Sequence, residues 1–594
     1  MELKKITVVK AIIECLQEQG IDRAFGIAGS HYLSFFHALK DSKIKYISVK
    51  NESSAGFMAL NYTRASGKPA LCTGTAGPGA MNLLNGIAEL YKYGIPSVIL
   101  TPTVATDLFG REAFQEDTGY GNTYSICNIM NEVTKKSVLC FNPNTVIQQL
   151  RDLIRFGFSA PNGPVHICVP SDIFSKTIEY DYLPSKSYRH LNDQQTESSK
   201  IKKLAKLIGD SKLPLLLLGR RTVYPNASKE ISNLSIEFGL PVITSHSAKG
   251  IYDEHNDLYC GVLSIYGNRT SEVVVKESDL VITIGEELSE NTSIKYDPEL
   301  FKNCKLVSID SHVTDFGRNY PVDYTICGNI KSTIVELYTE LKALKIKPII
   351  KNEFIKQKIL KNDSHIVSDQ DSTEVPLPPQ VIYKVINKTI DNECIVLTDT
   401  GSHAFWAIRN LLSYENGFMY SATGFSMGQG IAGSIGAKLG QPDRTVICVA
   451  GDGSFLMQGM ELATMQQYKI AVIWIIMNDK RYNMIDWGQK LTGGGCEFCV
   501  DLYTPKFDKF SEAFGIHYSY ADSEVAFSDA LSNAIKRSRL ENESSFIVVN
   551  YNKDTFLPAK PRAVKMLEDI KSDEKIQSNP YLLKAFTNLL KERV

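Results

Sequence analysis

The sequence predicts an α/β protein made of three domains, each built on a doubly wound parallel sheet. Short apolar runs of strand length alternate with amphipathic stretches of helix length along most of the chain. This alternation is typical of parallel sheets whose two faces are covered by helices. Two polar stretches without periodicity, at 178–200 and 345–379, interrupt the pattern and predict linkers. A chain of 594 residues is long enough for roughly two to four domains.

The expected elements fall into the domains in chain order. We expect an N-terminal domain at 1–180, a central domain at 195–345, a third domain at 375–560 and a C-terminal tail at 561–594. Apolar runs predict the strands. They lie near 24–30, 45–49, 69–73 and 96–100, then near 213–219, 241–244, 280–285 and 305–310, and finally near 394–398, 445–450, 470–477 and 546–551.

The composition excludes several classes of protein. Hydrophobic residues make up 43% and charged residues 22%, which is ordinary for a globular protein. Lys and Arg (65) balance Asp and Glu (66), so we expect no nucleic-acid partner. No apolar run reaches the length of a membrane span, and no signal peptide is recognisable, so we expect a cytoplasmic protein with reduced thiols. Cys496 and Cys499 form a C-x-x-C without the second pair that a zinc ribbon needs.

The stretch 451–487 carries the first functional signal. Gly451-Asp452-Gly453-Ser454 follows an apolar strand and opens a helix, and the next apolar strand ends at Asn478-Asp479. In an open parallel sheet, ligands bind at the carboxyl ends of strands, and a helix N-terminus there favours phosphate. Two acids beside phosphates suit Mg²⁺. By itself, this stretch is equally compatible with a structural turn whose acids are solvated.

Further motifs resemble one enzyme family. Residues 51–59 (NESSAGFMA), 64–69 (RASGKP), 73–82 (TGTAGPGAMN), 113–116 (AFQE), 163–165 and 169–172 resemble the pyrimidine-binding domain of thiamine diphosphate (thiamine pyrophosphate, ThDP) enzymes, on the acetolactate synthase branch. The 451–479 stretch resembles the diphosphate–metal motif of the same family. The resemblance implies the ThDP enzyme fold, with pyrimidine-binding, central and diphosphate-binding domains in that order.

The resemblance implies two catalytic residues in the N-terminal domain. Glu52 matches the acid that hydrogen-bonds N1′ of the cofactor pyrimidine and promotes its imino tautomer. A first-turn helix glutamate, favoured by the helix dipole, is the alternative when the flanking match is ignored. Gln115, in the 113–116 segment, is the second expected catalytic residue.

The other expected cofactor contacts lie near the third domain. The turn at 401–403 would bind the diphosphate, the carbonyl of Phe425 would accept the 4′-amino hydrogen, and Met427 would hold the cofactor bent, although an ordinary core methionine is the alternative. The full cofactor-binding set is Glu52, Gly401, Ser402, His403, Phe425, Met427, Gly451, Asp452, Gly453, Ser454, Asp479 and Met484. The expected Mg²⁺ ligands are Asp452, Asp479 and the backbone carbonyl of Arg481.

The implied reaction is a carboligation that begins with a 2-oxo acid. A ThDP enzyme similar to acetolactate synthase would decarboxylate the acid, with pyruvate as the expected donor, and transfer the two-carbon unit to a second carbonyl. Asn51, Ser53 and Ser171 depart from the family pattern near the acceptor site. A 2-oxo acid decarboxylase, or a carboligase for an aldehyde, a sugar ketone or a sulfonated substrate, is the alternative. A non-catalytic cofactor-binding subunit is a third hypothesis, which the presence of Glu52, Asp452 and Asp479 disfavours.

The resemblance also bears on FAD and on assembly. Anabolic acetolactate synthases bind FAD in the central domain. Here Gly219 is followed by Arg220-Arg221 instead of a glycine-rich turn, and 285–287 reads Gly-Glu-Glu where the family has Gly-x-Arg. We therefore disfavour FAD and favour a structural role for this domain. The family places each active site between two subunits, so we expect a homodimer or a tetramer.

Overall fold

The computed structural model describes residues 4–183, 196–224, 226–350, 352–363, 372–420, 424–492 and 497–555. Three sheets of six parallel strands dominate these residues, and a two-stranded antiparallel sheet accompanies the first. The predicted fold class is therefore confirmed. No helix of the described residues is long and apolar enough to cross a membrane.

The first sheet has the strand order β3-β2-β4-β5-β7-β6. Its strands are β2 (Arg23–Gly26), β3 (Lys45–Ser48), β4 (Ala70–Thr73), β5 (Ser97–Thr103), β6 (Ser137–Leu139) and β7 (Val165–Pro170), while β1 (Lys4–Thr7) pairs with β8 (Thr177–Tyr180). The helices are α1 (Val8–Glu18), α2 (Leu33–Lys40), α3 (Glu52–Ser66), α4 (Pro78–Asn82), α5 (Leu84–Tyr93), α6 (Ile126–Val133) and α7 (Val146–Phe158). Strands β4, β5 and β7 are buried throughout, as expected for a sheet covered on both faces.

The second sheet has the order β11-β10-β9-β12-β13-β14. Its strands are β9 (Pro214–Leu218), β10 (Val242–Ser245), β11 (Tyr259–Leu263), β12 (Leu280–Ile284), β13 (Lys305–Asp310) and β14 (Tyr324–Cys327). The helices are α8 (Ser198–Asp210), α9 (Ser228–Phe238), α10 (Arg269–Glu277), α11 (Ile330–Ala343) and α12 (Asn352–Asn362). Alternate residues of β9 and β12 enter two separate apolar clusters, so each face of the sheet has its own core.

The third sheet has the order β16-β15-β17-β18-β20-β19. Its strands are β15 (Cys394–Thr398), β16 (Phe418–Tyr420), β17 (Thr445–Gly451), β18 (Ile473–Asn478), β19 (His517–Ala521) and β20 (Ser545–Asn550). The helices are α13 (Pro379–Thr389), α14 (Ser402–Asn410), α15 (Gln429–Gly440), α16 (Asp452–Gln458), α17 (Leu462–Tyr468), α18 (Asn483–Thr492), α19 (Phe507–Ala513) and α20 (Glu524–Leu540).

Two predicted linkers contain regular structure. Strand β8 occupies the start of the 178–200 stretch because its residues pair with β1, and α8 begins before that stretch ends. Helix α12 lies inside the 345–379 stretch, where Ile355 is buried in a core cluster of the second sheet and Phe354 and Ile359 pack against that cluster. The tail at 561–594 and Cys496 lie outside the described residues.

By compactness, the chain divides into two units. The described residues within 1–193, 423–443 and 458–470 form the first unit, and the other described residues form the second. The domain boundaries expected from the sequence stay a prediction. In the first unit, α15 packs against α3 at very short range, because a Cβ on Gly436 would lie 2.0 Å from the carbonyl oxygen of Met58.

Candidate active site

The expected diphosphate–metal motif lies at the carboxyl edge of the third sheet, in the second unit. Strand β17 ends at Gly451 and pairs with β18, which ends at Asn478. Asp452, the first residue of α16, accepts hydrogen bonds from the backbone N–H of Gly453 (2.8 Å) and of Lys480 (2.6 Å). Asp479 accepts one from the phenol of Tyr551 (2.5 Å).

The two carboxyls are poised for a cation. Burial raises the pKa of Asp452 to about 7 and that of Asp479 to about 6. The neighbouring charge of Asp479 raises the pKa of Asp452 further. A divalent ion between them would remove this penalty, because it compensates both charges. Among the described residues, no group of three or more His, Cys, Asp or Glu side chains is arranged to hold a metal. Further ligands would therefore be backbone, water or phosphate oxygens, and these suit Mg²⁺.

Arg481 contributes no side chain to this cation site. Its guanidinium forms ion pairs with Asp486 (3.0 Å), Glu497 (2.9 Å) and Asp501 (2.7 Å). Its backbone N–H donates to Asp479 at 3.1 Å, so the main chain of residues 479–481 forms a tight turn. The role of the Arg481 carbonyl as a metal ligand stays a prediction.

The turn at 401–403 lies beside the 451–454 turn. A Cβ on Gly401 would lie 2.6 Å from the ring of His403, and one on Gly451 would lie 3.4 Å from it. The absence of a side chain at both glycines therefore leaves room for this ring. The hydroxyl of Ser454 donates to the carbonyl of Thr400 at 3.0 Å. The predicted diphosphate residues of the two turns are therefore adjacent.

The ring of His403 has an unused nitrogen that fits a ligand. Burial lowers the pKa of His403 to about 4, so the free imidazole is neutral. Its Nε2 atom is buried without a hydrogen-bond partner among the residues that the structure describes. Buried polar atoms are almost always paired, so an orphan here is consistent with a bound polar group. Helix α14 begins at Ser402, and a helix N-terminus favours an anion.

The loop at 424–428 belongs to the first unit. The buried carboxylate of Glu89 accepts a hydrogen bond from the backbone N–H of Ser426 (3.0 Å), and Asn85 accepts one from its hydroxyl (2.9 Å). Phe425 has a φ of +58°, a left-handed conformation that costs a non-glycine residue about 1 kcal/mol or more. Met427 is half-buried, as is Met484 in the second unit. That these residues share one site stays a prediction.

Glu52 lies at the first position of α3, in the first unit. Its side chain is buried, its Oε2 accepts a hydrogen bond from the Asn82 amide at 3.1 Å, and a Cβ on Gly79 would lie 3.3 Å from its Oε1. The 77–79 turn therefore packs directly on the carboxyl.

A second buried acid holds the chain just before Glu52. Glu461, only 1% exposed, accepts hydrogen bonds from the backbone N–H groups of Lys50 (2.9 Å) and Asn51 (3.3 Å) through Oε1. Its Oε2 accepts one from the hydroxyl of Thr464 at 2.6 Å. Glu461 thus fixes the main chain that leads into α3.

Gln458 holds the chain just after Glu52. Its Nε2 donates to the hydroxyl of Ser53 at 2.8 Å, and its Oε1 accepts from the hydroxyl of Ser54 at 2.7 Å. We call Glu461 and Gln458 together the Glu52 clasp, because they bind residues on both sides of the acid. Ser53, a departure from the family pattern, is one of the bound residues.

Gln115 approaches the turn that packs on Glu52. It has a φ of +61°, and a Cβ on Gly77 would lie 3.1 Å from its carbonyl oxygen. Asp117, two residues after Gln115, accepts hydrogen bonds from the backbone N–H of Gly77 (2.9 Å) and the hydroxyl of Thr103 (2.6 Å). The structure therefore brings both predicted catalytic residues to the two sides of the 77–79 turn.

The carboxyl edge of the second sheet is occupied by its own side chains. Arg221, which follows β9, forms ion pairs with Asp310 at the end of β13 (2.6 Å), with Glu287 after β12 (3.2 Å) and with Asp315 (2.9 Å). These charges lie where a doubly wound sheet would receive a nucleotide. Gly219 cannot carry a side chain, because a Cβ would lie 2.3 Å from the main chain of the turn after β12.

Comparison with known proteins agrees with the fold. Residues 6–123, 201–337 and 399–549 match the N-terminal TPP binding domain, the central domain and the C-terminal TPP binding domain of thiamine pyrophosphate enzymes. The molecule is thus an enzyme of the ThDP-dependent class. More narrowly, the chain belongs to the acetolactate synthase-like branch of the thiamine pyrophosphate enzyme family.

Curated relatives match over nearly the whole length. The chain is 30% identical to a probable acetolactate synthase large subunit of Methanocaldococcus jannaschii, with 96% of each chain covered. It is 31% identical to a probable acetolactate synthase large subunit of Methanococcus aeolicus, with 89% of each covered. It is 27% identical to the acetolactate synthase large subunit of Haemophilus influenzae, over 97% of this chain and all of that relative.

Several functional contacts were not recognised from the sequence. Asn82 lies inside a motif that was recognised, but its hydrogen bond to Glu52 requires the turn at 77–79 to be folded. Gln458 and Glu461 lie in the 451–487 stretch, yet their partners are about 400 residues away, at a sequence separation of 404 for the bond from Ser54 to Gln458. No local pattern reveals such pairs.

Proposed function

We propose that the protein is a ThDP-dependent carboligase similar to acetolactate synthase. It would decarboxylate a 2-oxo acid, with pyruvate as donor, and transfer the two-carbon unit to a second carbonyl. The observation that carries this proposal is Glu52, buried at a helix N-terminus, bonded to Asn82 and flanked by the clasp. The names of the full-length relatives support pyruvate as donor.

The residues of this chain have separate tasks. Bound ThDP supplies the electron sink for the carbanion that decarboxylation leaves. The Glu52 carboxyl would hydrogen-bond N1′ of the pyrimidine, and Asn82, which donates to Oε2 of Glu52, would orient the carboxyl. The clasp holds the main chain on both sides of Glu52 and thereby restricts movement of the carboxyl. Gln115, on the other side of the 77–79 turn, would contact the substrate.

We infer that Mg²⁺ and the diphosphate bind at the carboxyl edge of the third sheet. Asp452, Asp479 and the carbonyl of Arg481 would hold the ion. The diphosphate would contact the turns at 401–403 and 451–454, where the orphan Nε2 of His403 supports a bound anion. Calorimetric titration of the metal-free protein with ThDP, with and without Mg²⁺, tests this inference; equal affinities would contradict it.

We infer that the central domain does not bind FAD. The ion pairs of Arg221 with Asp310, Glu287 and Asp315 occupy the edge where a flavin nucleotide would lie, and displacing them would uncover buried charges. Purified protein should show no flavin absorbance and should not retain added FAD on gel filtration. Stoichiometric yellow protein would contradict this inference.

We further propose a homodimer or tetramer with active sites between subunits, as the family resemblance implies. Sedimentation of the holoenzyme should give at least twice the chain mass, and an active monomer would refute the assembly. A cytoplasmic location stays a prediction from the sequence.

A 2-oxo acid decarboxylase, or a carboligase with another acceptor, is the competing function. Asn51, Ser53 and Ser171 support it, because they depart from the family pattern. Incubation of the purified protein with ThDP, Mg²⁺ and pyruvate, followed by product identification, separates the alternatives. Acetolactate supports the main proposal, acetaldehyde supports a decarboxylase, and absence of turnover with any tested 2-oxo acid supports a non-catalytic subunit.

A further inference from the structure

The carboxylate of Asp479, one of the two proposed Mg²⁺ ligands, receives a hydrogen bond on each oxygen. Its Oδ2 atom accepts from the phenol of Tyr551 at 2.5 Å, and its Oδ1 atom accepts from the backbone N–H of Arg481 at 3.1 Å. An ionised carboxyl group has about four acceptor positions, so each oxygen keeps one for a further ligand. The two donors therefore fix the plane of the carboxylate without blocking it.

The phenol of Tyr551 is itself oriented by an amide. Tyr551 directly follows β20 and is only 6% exposed. The Nδ2 atom of Asn483 donates to the phenol oxygen at 3.1 Å and to the backbone carbonyl of Lys553 at 3.3 Å. Because a carbonyl only accepts, the nitrogen end of this amide must face Lys553 and Tyr551. The phenol oxygen thus accepts from Asn483, and its own proton is left for Asp479.

The helix that carries Asn483 is anchored at the same carbonyl. The indole Nε1 of Trp487, four residues further along α18, donates to the carbonyl of Lys553 at 3.1 Å. Residues four apart lie on one face of a helix, so one face of α18 is held against the chain that follows β20. Asn483 therefore has a fixed position relative to Tyr551.

This chain of hydrogen bonds is matched to a carboxylate at position 479. An asparagine there would offer one oxygen and one nitrogen to two donors. With its nitrogen toward Tyr551, it would face the phenol proton, and with its nitrogen toward Arg481, it would face the backbone N–H. Either orientation brings two donors together, whereas a carboxylate accepts from both.

We propose that Tyr551 is a positioning residue for the divalent cation. Its phenol, oriented by Asn483, fixes the carboxylate of Asp479 and thereby raises the affinity for the ion. This inference rests on the proposed binding of Mg²⁺ and ThDP at the carboxyl edge of the third sheet. Removal of a group that orients a metal ligand typically lowers metal affinity or activity about 10–100-fold.

Calorimetry on the full-length, metal-free protein tests the role of Tyr551 by measuring ThDP affinity at a series of Mg²⁺ concentrations. Tyr551→Phe keeps the ring and removes the phenol proton, so the Mg²⁺ concentration for half-maximal ThDP binding should rise about tenfold or more. Excess Mg²⁺ should restore the wild-type ThDP affinity, which a folding defect would not allow. Asn483→Ala frees the phenol to turn and should shift the Mg²⁺ dependence in the same direction, by less.

Tyr252→Phe is the matched control. Its hydroxyl is also buried, and it lies 3.0 Å from the hydroxyl of Ser235 in the core of the second sheet. This variant loses a buried phenol of the same kind away from Asp479, so it should keep the wild-type Mg²⁺ dependence.

A double-mutant cycle tests the match between Tyr551 and the acid. Asp479→Asn should weaken Mg²⁺-dependent ThDP binding in the wild-type background. In the Tyr551→Phe background the same substitution should cost at least about threefold less, because the amide nitrogen no longer meets the phenol proton. Equal losses in both backgrounds would overturn the proposed pairing.

The outcomes separate this inference from the proposed function. If ThDP binding to the wild-type protein does not depend on Mg²⁺, the proposed metal site is wrong, and the role of Tyr551 is overturned with it. If the wild type depends on Mg²⁺ and both Tyr551→Phe and Asn483→Ala match it, only the role of Tyr551 is overturned. If Tyr551→Phe does not fold, Asn483→Ala decides by the same criterion.

Discussion

Replacement of Glu461 by glutamine tests whether the clasp positions Glu52 for catalysis. The carboxylate accepts two backbone N–H groups immediately before Glu52, and each hydrogen bond to a charged acceptor contributes about 1.5–3 kcal/mol. Glutamine has the same shape and keeps one neutral acceptor, so we expect the hydrogen bonds to weaken by roughly 1.5 kcal/mol. If this loss affects the position of the Glu52 carboxyl, it corresponds to about a tenfold lower rate. Alanine leaves both N–H groups to water and should cost about 2–4 kcal/mol of stability.

The assay separates positioning from folding. We expect Glu461→Gln to lower kcat about tenfold and to slow deuterium exchange at C2 of bound ThDP by a similar factor, with ThDP affinity nearly unchanged. Gln467→Ala is the matched control, because Gln467 binds only the exposed side-chain amine of Lys50 among the bonds described here, and it should behave as wild type. Wild-type kcat and exchange in Glu461→Gln would refute the reasoning.

Four further predictions concern Glu52, the pair of Asp452 and Asp479, and the central domain. Glu52→Gln should retain ThDP binding by calorimetry and lose most carboligase activity; full activity would remove Glu52 from its role. Asp452→Ala should abolish Mg²⁺-dependent ThDP binding, and unchanged affinity would contradict the metal assignment. Folding raises the pKa values of Asp452 and Asp479, so the stability that these carboxyls contribute to the metal-free protein is present below about pH 4 and is lost as the pH rises through about 6 to 7. The affinity for Mg²⁺ should rise over the same pH range. Mg²⁺ titrations that give the same affinity at every pH would contradict the pairing of the two carboxyls at the ion. Arg221→Ala should lower the free energy of unfolding by about 3–5 kcal/mol, because it leaves the buried Asp310 unpaired, and denaturant unfolding measures this loss.

The fold was predictable because its signal is local. Twelve of the eighteen strands in the three sheets lie at predicted apolar runs that alternate with helices, whereas six were not predicted: β6, β7, β11, β14, β16 and β19. Helix α12 was missed because its sequence is mostly polar and only Ile355 and a few neighbours reach the core. Strand β8 was missed because it depends on pairing with β1, at the other end of the domain.

The candidate site was predictable where a residue acts within its own motif. Asp452, Asp479 and the 401–403 turn lie at strand ends, where sheet geometry alone brings them together. The clasp was not predictable, because hydrogen bonds between distant segments leave no periodic trace. From the sequence, Arg221 was only a residue that stands where a glycine-rich turn was expected. Its ion pairs with three acids were not predictable, because they depend on the register of strands β9, β12 and β13.

The close packing of α15 on α3 limits how this enzyme can be made more thermostable. Exchange of a helical glycine for alanine ordinarily adds about 1 kcal/mol, so α15, with Gly433 and Gly436 in its interior, looks like an obvious target. At Gly436 the new methyl would overlap the carbonyl of Met58, and at Gly433 it would lie 2.2 Å from the amide of Asn61. Both partners belong to the helix that begins with Glu52, so a substitution that improves helix propensity would displace the proposed catalytic acid. Engineering for heat resistance should therefore leave this helix pair unchanged and use exposed positions such as Val335 of α11.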